Sequence, residues 1–287
     1  MSIHFYIIVV SFNPGDRLKS TLDSIYTQDY WDYDVIIKDA GSDDGSLTSL
    51  QTSGYFDKQM MKDRSSVYSL PDNGIYDGMN RALEYIDRTG NTKKEDYVIF
   101  LNCGDRFYDR QTLGKVADFI DGYISGGKDT SRMKIFYGDQ YNDSTSSVVS
   151  SAPKINEFAL FRNVPCHQVC FYDAGLFADR AYDTGYRVRA DYEHFLYCIY
   201  KKNAVAVHMK DIISRYEGGG YSESKEGKAI SAKEHREITD RYMGRKAAGY
   251  RMIMRLSGAG LRTRLAEDPK YSGLYNKIKS FIYKNRR

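Results

Sequence analysis

The chain has 287 residues, 41% of them hydrophobic, with 26 Tyr and 13 Phe. That is enough to bury a large core, as one big α/β domain or one domain with an appendage, and it excludes the composition of a disordered chain. No run reaches the roughly 18 apolar residues that span a bilayer, and the net charge is +4.

That charge is unevenly spread. From Arg241 onward thirteen Lys or Arg stand against two acids, Glu267 and Asp268, so this tail carries +11 and the remainder −7. Clustered positive charge attracts polyanions, either nucleic acid or anionic lipid heads. Cys103, Cys166, Cys170 and Cys198 match no zinc or redox spacing, which predicts a reduced cytosolic protein with ordinary core thiols.

Residues 1–10 lack a basic start and run straight into Ser11-Phe12-Asn13-Pro14, so Ile3–Val10 is expected to be a buried strand rather than a signal peptide. Asn13-Pro14 with Asp16 resembles a helix cap, and Leu18, Leu22 and Ile25 follow at helical spacing. Tyr33–Lys38 is a second strand, ending at Asp39 and a turn-rich segment. Ser66–Ser69 is a short third strand. Asp72-Asn73-Gly74 is a turn that opens a helix, with Met79, Ala82, Leu83 and Ile86 on one face and a stop near Gly90. Tyr97–Leu101 is the next strand, with Asp105 just past its carboxyl end.

Strands alternating with helices predict a mostly parallel, doubly wound α/β sheet, whose ligands gather at the carboxyl edge. Beyond Asp105 the pattern loosens. Leu113, Val116, Ala117 and Ile120 predict a helix, Lys134–Tyr137 a strand, and 142–147 a polar surface loop. Asp191 opens a helix that buries Phe195, Leu196 and Ile199, with Glu193 and His194 expected to face solvent. Ala204–Val207 is a late strand, followed by the loop Glu217-Gly-Gly-Gly-Tyr-Ser222. The expected division is 1–108, 109–240 and a basic helical tail, 241–287.

Three carboxylates carry the candidate chemistry. Asp39 at a strand end can accept a hydrogen bond from a base N–H or a ribose hydroxyl, while Asp43 and Asp44 shape the turn after it. Asp105, with Gly104 allowing close approach of a ligand, is placed to hold a hard divalent ion against phosphate oxygens. Asp191 is either a helix cap or a general base. His167 is a substrate contact or a buried imidazole, and His208 ends a strand as a candidate late metal ligand.

Together these pieces resemble glycosyltransferase family 2, the inverting enzymes with a GT-A fold. Val9-Val-Ser-Phe-Asn13, Leu22-Asp-Ser-Ile-Tyr-Thr-Gln-Asp-Tyr30, Lys38-Asp-Ala-Gly-Ser-Asp-Asp-Gly-Ser46 and Asp72-Asn-Gly-Ile-Tyr-Asp-Gly-Met-Asn80 carry it in order, the last close to a bacterial capsule, exopolysaccharide and O-antigen subgroup. The resemblance is specific over 3–108, diffuse over 109–222 and absent from the tail. It implies a Rossmann-like sheet flanked by helices, with the basic tail as a helical extension.

It also implies a nucleoside diphosphate sugar donor, with a UDP-sugar favoured, contacted by Ser11, Phe12, Asp39, Asn73, Gly74 and Asp105. Asp191 becomes the base, and Asp105 and His208 ligands of Mg²⁺ or Mn²⁺. Cys103 replaces the first acid of the metal-binding triplet, leaving one carboxylate there. The implied acceptor is a saccharide or polyprenyl-linked hydroxyl, with no nucleic-acid partner. The implied location is cytoplasmic and peripheral on the inner face of the plasma membrane, docked by 241–287 on anionic lipid through Arg241, Arg245, Arg251, Arg255 and Arg262 interleaved with apolar residues. The competing readings are a nucleotidyltransferase, a dehydrogenase, which would show Gly-x-Gly-x-x-Gly where Ser11-Phe-Asn-Pro-Gly15 stands, and a non-catalytic nucleotide-sugar-binding protein with a degenerate metal site.

Overall fold

The computed structural model describes residues 2–89, 96–127, 131–257 and 271–284. The expected helix stop at Gly90 and the tail residue Arg262 lie outside them.

The strands are β1 (His4–Ser11), β2 (Tyr33–Asp39), β3 (Ser65–Ser69), β4 (Asp96–Phe100), β5 (Arg106–Phe107), β6 (Lys134–Asn142), β7 (Ser147–Val149), β8 (Cys170–Asp173) and β9 (Val205–Tyr216). The helices are α1 (Arg17–Tyr26), α2 (Ser46–Thr52), α3 (Gln59–Lys62), α4 (Ile75–Thr89), α5 (Thr112–Ser125), α6 (Glu157–Arg162), α7 (Ala190–Tyr200), α8 (Lys225–Met243), α9 (Arg245–Leu256) and α10 (Ser272–Lys284).

The strands form one sheet in the order β3-β2-β1-β4-β8-β6-β9-β5, with β7 paired on β6. The first four are parallel; β1, β2 and β4 are mostly apolar because helices cover both faces, whereas the edge strand β3, Ser-Ser-Val-Tyr-Ser, is only partly buried. Ile7, Val9, Val35, Ile37, Ile99 and Phe100 are completely buried. The run of parallel pairs is broken there by β8, which is antiparallel to both β4 and β6; β6 and β9 pair in parallel, and β5 runs antiparallel to β9.

The chain winds outward from β1 to β3 and then crosses to β4 on the other side of β1. A crevice therefore opens where the strand order reverses, above the carboxyl ends of β1 and β4. The short β5 pairs with the far end of β9, Arg106 opposite Arg215, and so brings the loop after β9 over that crevice.

Two expectations for α7 and one for the tail are corrected. Glu193 and His194 are fully buried rather than facing solvent. Glu193 is held by Arg180 at 2.6 Å and by the Tyr242 hydroxyl at 2.5 Å. His194 stacks on Phe177, with centroids 4.4 Å apart. In the tail, α8 runs through position 240 to Met243, and Tyr250 of α9 packs on Phe158 and Phe161. Met243 is buried, and Tyr242, Tyr250 and Met254 pack against the core. Of the apolar residues expected to meet lipid there, Met252, Ile253 and Leu256 stay exposed.

Candidate active site

The crevice begins at the carboxyl ends of β1 and β2, where Ser11 lies in register with Asp39. Asp39 is completely buried. Its carboxylate accepts from the Ser11, Ser42 and Ser69 hydroxyls at 3.0, 2.5 and 2.6 Å and from the Gly41 and Ser42 N–H groups at 3.0 and 2.8 Å. Burial alone would raise its pKa, but these bonds, led by Ser42, hold it below the ordinary carboxylate value. Asp39 thus anchors the floor from beneath. Next to it, the buried Lys38 pairs with Asp72 and donates to the Asp39 carbonyl at 3.0 Å.

Asn73 is exposed and donates through its N–H to Asp77, 2.9 Å away, which opens α4. Gly74 follows at φ +121, a region L side chains avoid. One turn into α4 the Tyr76 hydroxyl lies 3.0 Å from Asp191 Oδ1 and 2.9 Å from the Val188 carbonyl.

The loop after β4 is fixed by α1. The Thr21 hydroxyl accepts from the Gly104 N–H at 2.9 Å and donates to the Asp105 carbonyl at 2.8 Å. Gly104 sits at φ +101, a backbone conformation that strains any L side chain, and a Cβ there would also meet Glu217 Oε2 at 2.5 Å and oblige that carboxylate to move. Asp105 is 5% exposed, and Gln168 Nε2 donates to its Oδ2 at 2.9 Å. Burial pushes its pKa up to about 6 against that hydrogen bond. Burial likewise pushes the Cys103 thiol up to about 12, so it is no thiolate ligand at neutral pH.

Asp191, at the start of α7, accepts from the Tyr192 N–H at 2.8 Å. His167 Nδ1 lies 3.0 Å from its Oδ2, and His167 Nε2 lies 2.8 Å from Asn102 Nδ2. The Asn102 amide nitrogen can only donate, so Nε2 accepts and Nδ1 carries the proton toward Asp191. Burial opposes ionisation of Asp191, yet the His167 contact, the Tyr192 N–H and the Arg189 charge together keep the carboxyl below its ordinary value.

Three adjoining cavities make one groove. The first, about 500 Å³, is lined by Ser11, Phe12, Arg17, Gly74 and Cys103. The second, about 460 Å³, shares Arg17, Asn102 and Cys103 with it and adds Asp105, Asp191 and the 217–222 loop. The third, about 590 Å³, shares Asp191 and Ser222 with the second. Asp105 and Asp191 thus face one cleft, while Asp39 lies beneath it and Asn73 outside it.

His208 is placed elsewhere. Its Nε2 lies 3.2 Å from Asp139 Oδ1 and its ring packs on Tyr137. Along β6, its register partner Tyr137 is five residues from Asn142, the partner of Tyr216, roughly 17 Å at the rise of a strand. His208 is thus paired with Asp139 and is not among the residues that line the cavity of Asp105. Among the described residues no three His, Cys, Asp or Glu side chains gather into a metal site.

The oxygens near Asp105 are nonetheless of the hard kind: its own carboxylate, Glu217, and the buried Gln168 Oε1 and Asn102 Oδ1, both without a hydrogen-bond partner among the described residues. This set suits Mg²⁺ or Mn²⁺ arriving with phosphate oxygens rather than an ion held by protein alone. Tyr76, Asn102, Gln168 and Glu217 were not singled out from the sequence. The consecutive His167-Gln168, set beside Pro165-Cys166, was the available signal for Gln168.

Residues 6–181 match the model of Glycosyl transferase family 2. Over 220 residues the chain is 31% identical to proteins of Mycobacterium bovis and Mycobacterium tuberculosis named PGL/p-HBAD biosynthesis glycosyltransferase, covering 76% of this chain and 78% of theirs. Those relatives are named for PGL/p-HBAD rather than capsule or O-antigen synthesis. Among solved structures, the fold resembles S. aureus TarS 1–349 in complex with UDP, with a TM-score of 0.63 at 16% identity over 93% of this chain and 75% of that chain. A second TarS 1–349 structure gives 0.60, with 84% of this chain against 66% of that one. The mannosyltransferase PcManGT from Pyrobaculum calidifontis, in complex with GDP-Man and Mn²⁺, gives 0.55 at 13% identity over 99% and 86%. These likenesses establish the GT-A fold.

Proposed function

The chain belongs to glycosyl transferase family 2 and is a glycosyltransferase, and from that premise we propose that it moves a sugar, with inversion, from a nucleoside diphosphate sugar to a hydroxyl of a saccharide or lipid-linked acceptor. The reading as a non-catalytic binding protein gives way to the names of its relatives. The observation that carries the proposal is the pair Asp105 and Asp191, facing one cleft at the switch point of the sheet and held by the adjacent residues Gln168 and His167.

In this reading the nucleoside lies in the cavity of Ser11, Phe12 and Gly74. Asp39 shapes that floor through Ser11 and Ser42 in place of a direct contact, and Asn73 acts by setting the start of α4. The diphosphate lies under the 217–222 loop between Arg17 and Arg187, the two exposed cations of the central cavity. A UDP-sugar is favoured by the UDP and UDP-GlcNAc complexes of TarS. Asp105, with Glu217 and the amide oxygen of Gln168, would hold Mg²⁺ or Mn²⁺, an ion that supplies Lewis-acid stabilisation of the departing diphosphate; the Mn²⁺ complexes of PcManGT and of glucosyl-3-phosphoglycerate synthase support this.

Asp191 faces both the central cavity and the outer one, where the acceptor would enter. Its free lone pairs take the hydroxyl proton as that oxygen attacks the anomeric carbon and the bond to the diphosphate breaks. A lowered pKa keeps it ionised, and so ready to accept, at neutral pH. His167 is a positioning residue, fixing the carboxylate through Nδ1 while Asn102 fixes the ring.

The test is turnover on a panel of UDP-, GDP- and dTDP-sugars. General base catalysis contributes about 10²–10⁴-fold, so Asp191→Asn should lose that much while still binding donor. Near-normal turnover in the variant would remove Asp191 from the mechanism.

A further inference from the structure

Helix α10 is docked the wrong way round for a soluble surface helix. Such a helix turns its apolar stripe to the core. Here the inner face is polar: Asn276 is buried and its Nδ2 donates to the Ser147 hydroxyl at 3.0 Å, and the Ser280 and Ser150 hydroxyls lie 2.8 Å apart. The outer face carries Leu274, Ile278, Phe281 and Ile282, exposed by 62%, 52%, 67% and 42%.

At about 100° per residue these four fall within one stripe roughly 100° wide, diametrically opposed to Asn276 and Ser280. Hydrogen bonds to β7 and to the residue just after it therefore hold an apolar ridge outward. A row of this kind marks an interaction surface rather than scattered exposure. Charge selects the occupant: residues 269–287 contain six cations, Lys270, Lys277, Lys279, Lys284, Arg286 and Arg287, and no acid. Lys277 is exposed beside the stripe.

We propose that the outer face of α10, Leu274–Ile278–Phe281–Ile282, is a docking surface for an anionic lipid bilayer, with the helix lying in the headgroup plane and Lys277, exposed beside the stripe, meeting lipid phosphate. The contact moves from α9, where the sequence placed it, because the body has claimed much of that helix's apolar face. It deepens the proposed use of a lipid-linked acceptor and rests on that reading only for its purpose: β7 and α10 hold the enzyme at the surface from which such an acceptor is reached.

The experiment is co-sedimentation of the full chain with vesicles of phosphatidylcholine containing phosphatidylglycerol, and with phosphatidylcholine alone. The wild-type protein should partition onto the anionic vesicles and be released by high salt. Ile278→Asp with Phe281→Asp should cut partitioning by about tenfold or more, and Ile278→Gln with Phe281→Gln should cut it without adding charge. UDP-sugar hydrolysis in vesicle-free buffer should stay at the wild-type level in both, and that control separates this proposal from the assignment of activity. Equal partitioning of wild-type and variant proteins would overturn it. So would a wild-type dimer, seen by light scattering without vesicles, that the variants convert to monomer, since the ridge would then cover a second copy of the chain.

Discussion

His194 gives a sharp test of the buried architecture behind α7. Its imidazole is fully buried against Phe177, with Tyr182 and Tyr197 rings 5.3 and 5.9 Å away, and neither ring nitrogen has a hydrogen-bond partner among the described residues. Burial, with the Arg180 charge nearby, pulls its pKa down to about 3. In the unfolded chain it titrates near 6.5. Below that value the unfolded state binds a proton that the folded state refuses, so stability falls as pH falls, by about 1.36 kcal/mol per unit. At pH 5 the loss is about 2 kcal/mol, whatever the final depth of the folded pKa. His194→Leu removes the titration while keeping an apolar side chain of similar size. The two proteins should be compared by urea unfolding at about pH 7.5 and about pH 5. Lost stacking contributes equally at both, and the other groups titrate alike in both proteins. The stability difference should therefore move by about 2 kcal/mol in favour of the variant at the lower pH. A difference that is the same at both pH values would show that His194 is reached by protons in the folded state, and would refute the burial described here.

Two further outcomes follow from the cleft itself. His167→Ala removes the leading contact that offsets burial at Asp191, so the pKa of that carboxyl should rise and the acid limb of kcat/KM move to higher pH; donor KM should hold, and an unshifted pH profile would show that His167 only fills space. Mn²⁺ alone should leave the melting temperature nearly unchanged, because Asp105 lacks enough protein partners to hold it, whereas Mn²⁺ with UDP should raise it above UDP alone; a full shift with the metal alone would mean that the protein carries a complete cation site.

The parallel half was readable because its physics is local. A strand covered on both faces must be apolar throughout, and β1, β2 and β4 fall where their runs of Ile, Val and Phe place them. The helices α1 and α4 follow from spacing and caps in the same way. The second half resisted because its strands are set by partners distant in sequence. β5 is two residues long and exists only through pairing with β9, and β9 continues past Val207 to Tyr216 because β6 offers it a ladder. The wrong expectation for Glu193 arose because a carboxylate on a helix reads as exposed until Arg180 and Tyr242 are known to meet it. For His208 the sequence could not show its partner: a strand-end histidine is a ligand only if the sheet curls it toward the cleft, and here its ring meets Asp139. Asp191 and Asp105 were legible as acids at element ends. What joins them was not, because Gln168 and His167 act through contacts 63 and 24 residues away in sequence.

Those contacts also divide the labour of the two carboxylates. One short turn presents two neighbouring side chains to opposite ends of the cleft: Gln168 gives a single neutral amide to Asp105, and His167 gives a ring nitrogen to Asp191, which also receives the Tyr192 N–H. The two acids end on opposite sides of the ordinary value, Asp105 at about 6 and Asp191 below its usual range. Environments that push paired acids apart assign their roles. The acid already supplied with donors is ionised without help, and its remaining lone pairs suit it to take a proton. The acid left short of donors gains most from a cation, and nearby the unpartnered oxygens of Asn102 and Gln168 await the same kind of partner. In the proposed reading a divalent ion carried in on a diphosphate would meet that need only when donor is present, and the deficiency at Asp105 would then couple metal affinity to substrate.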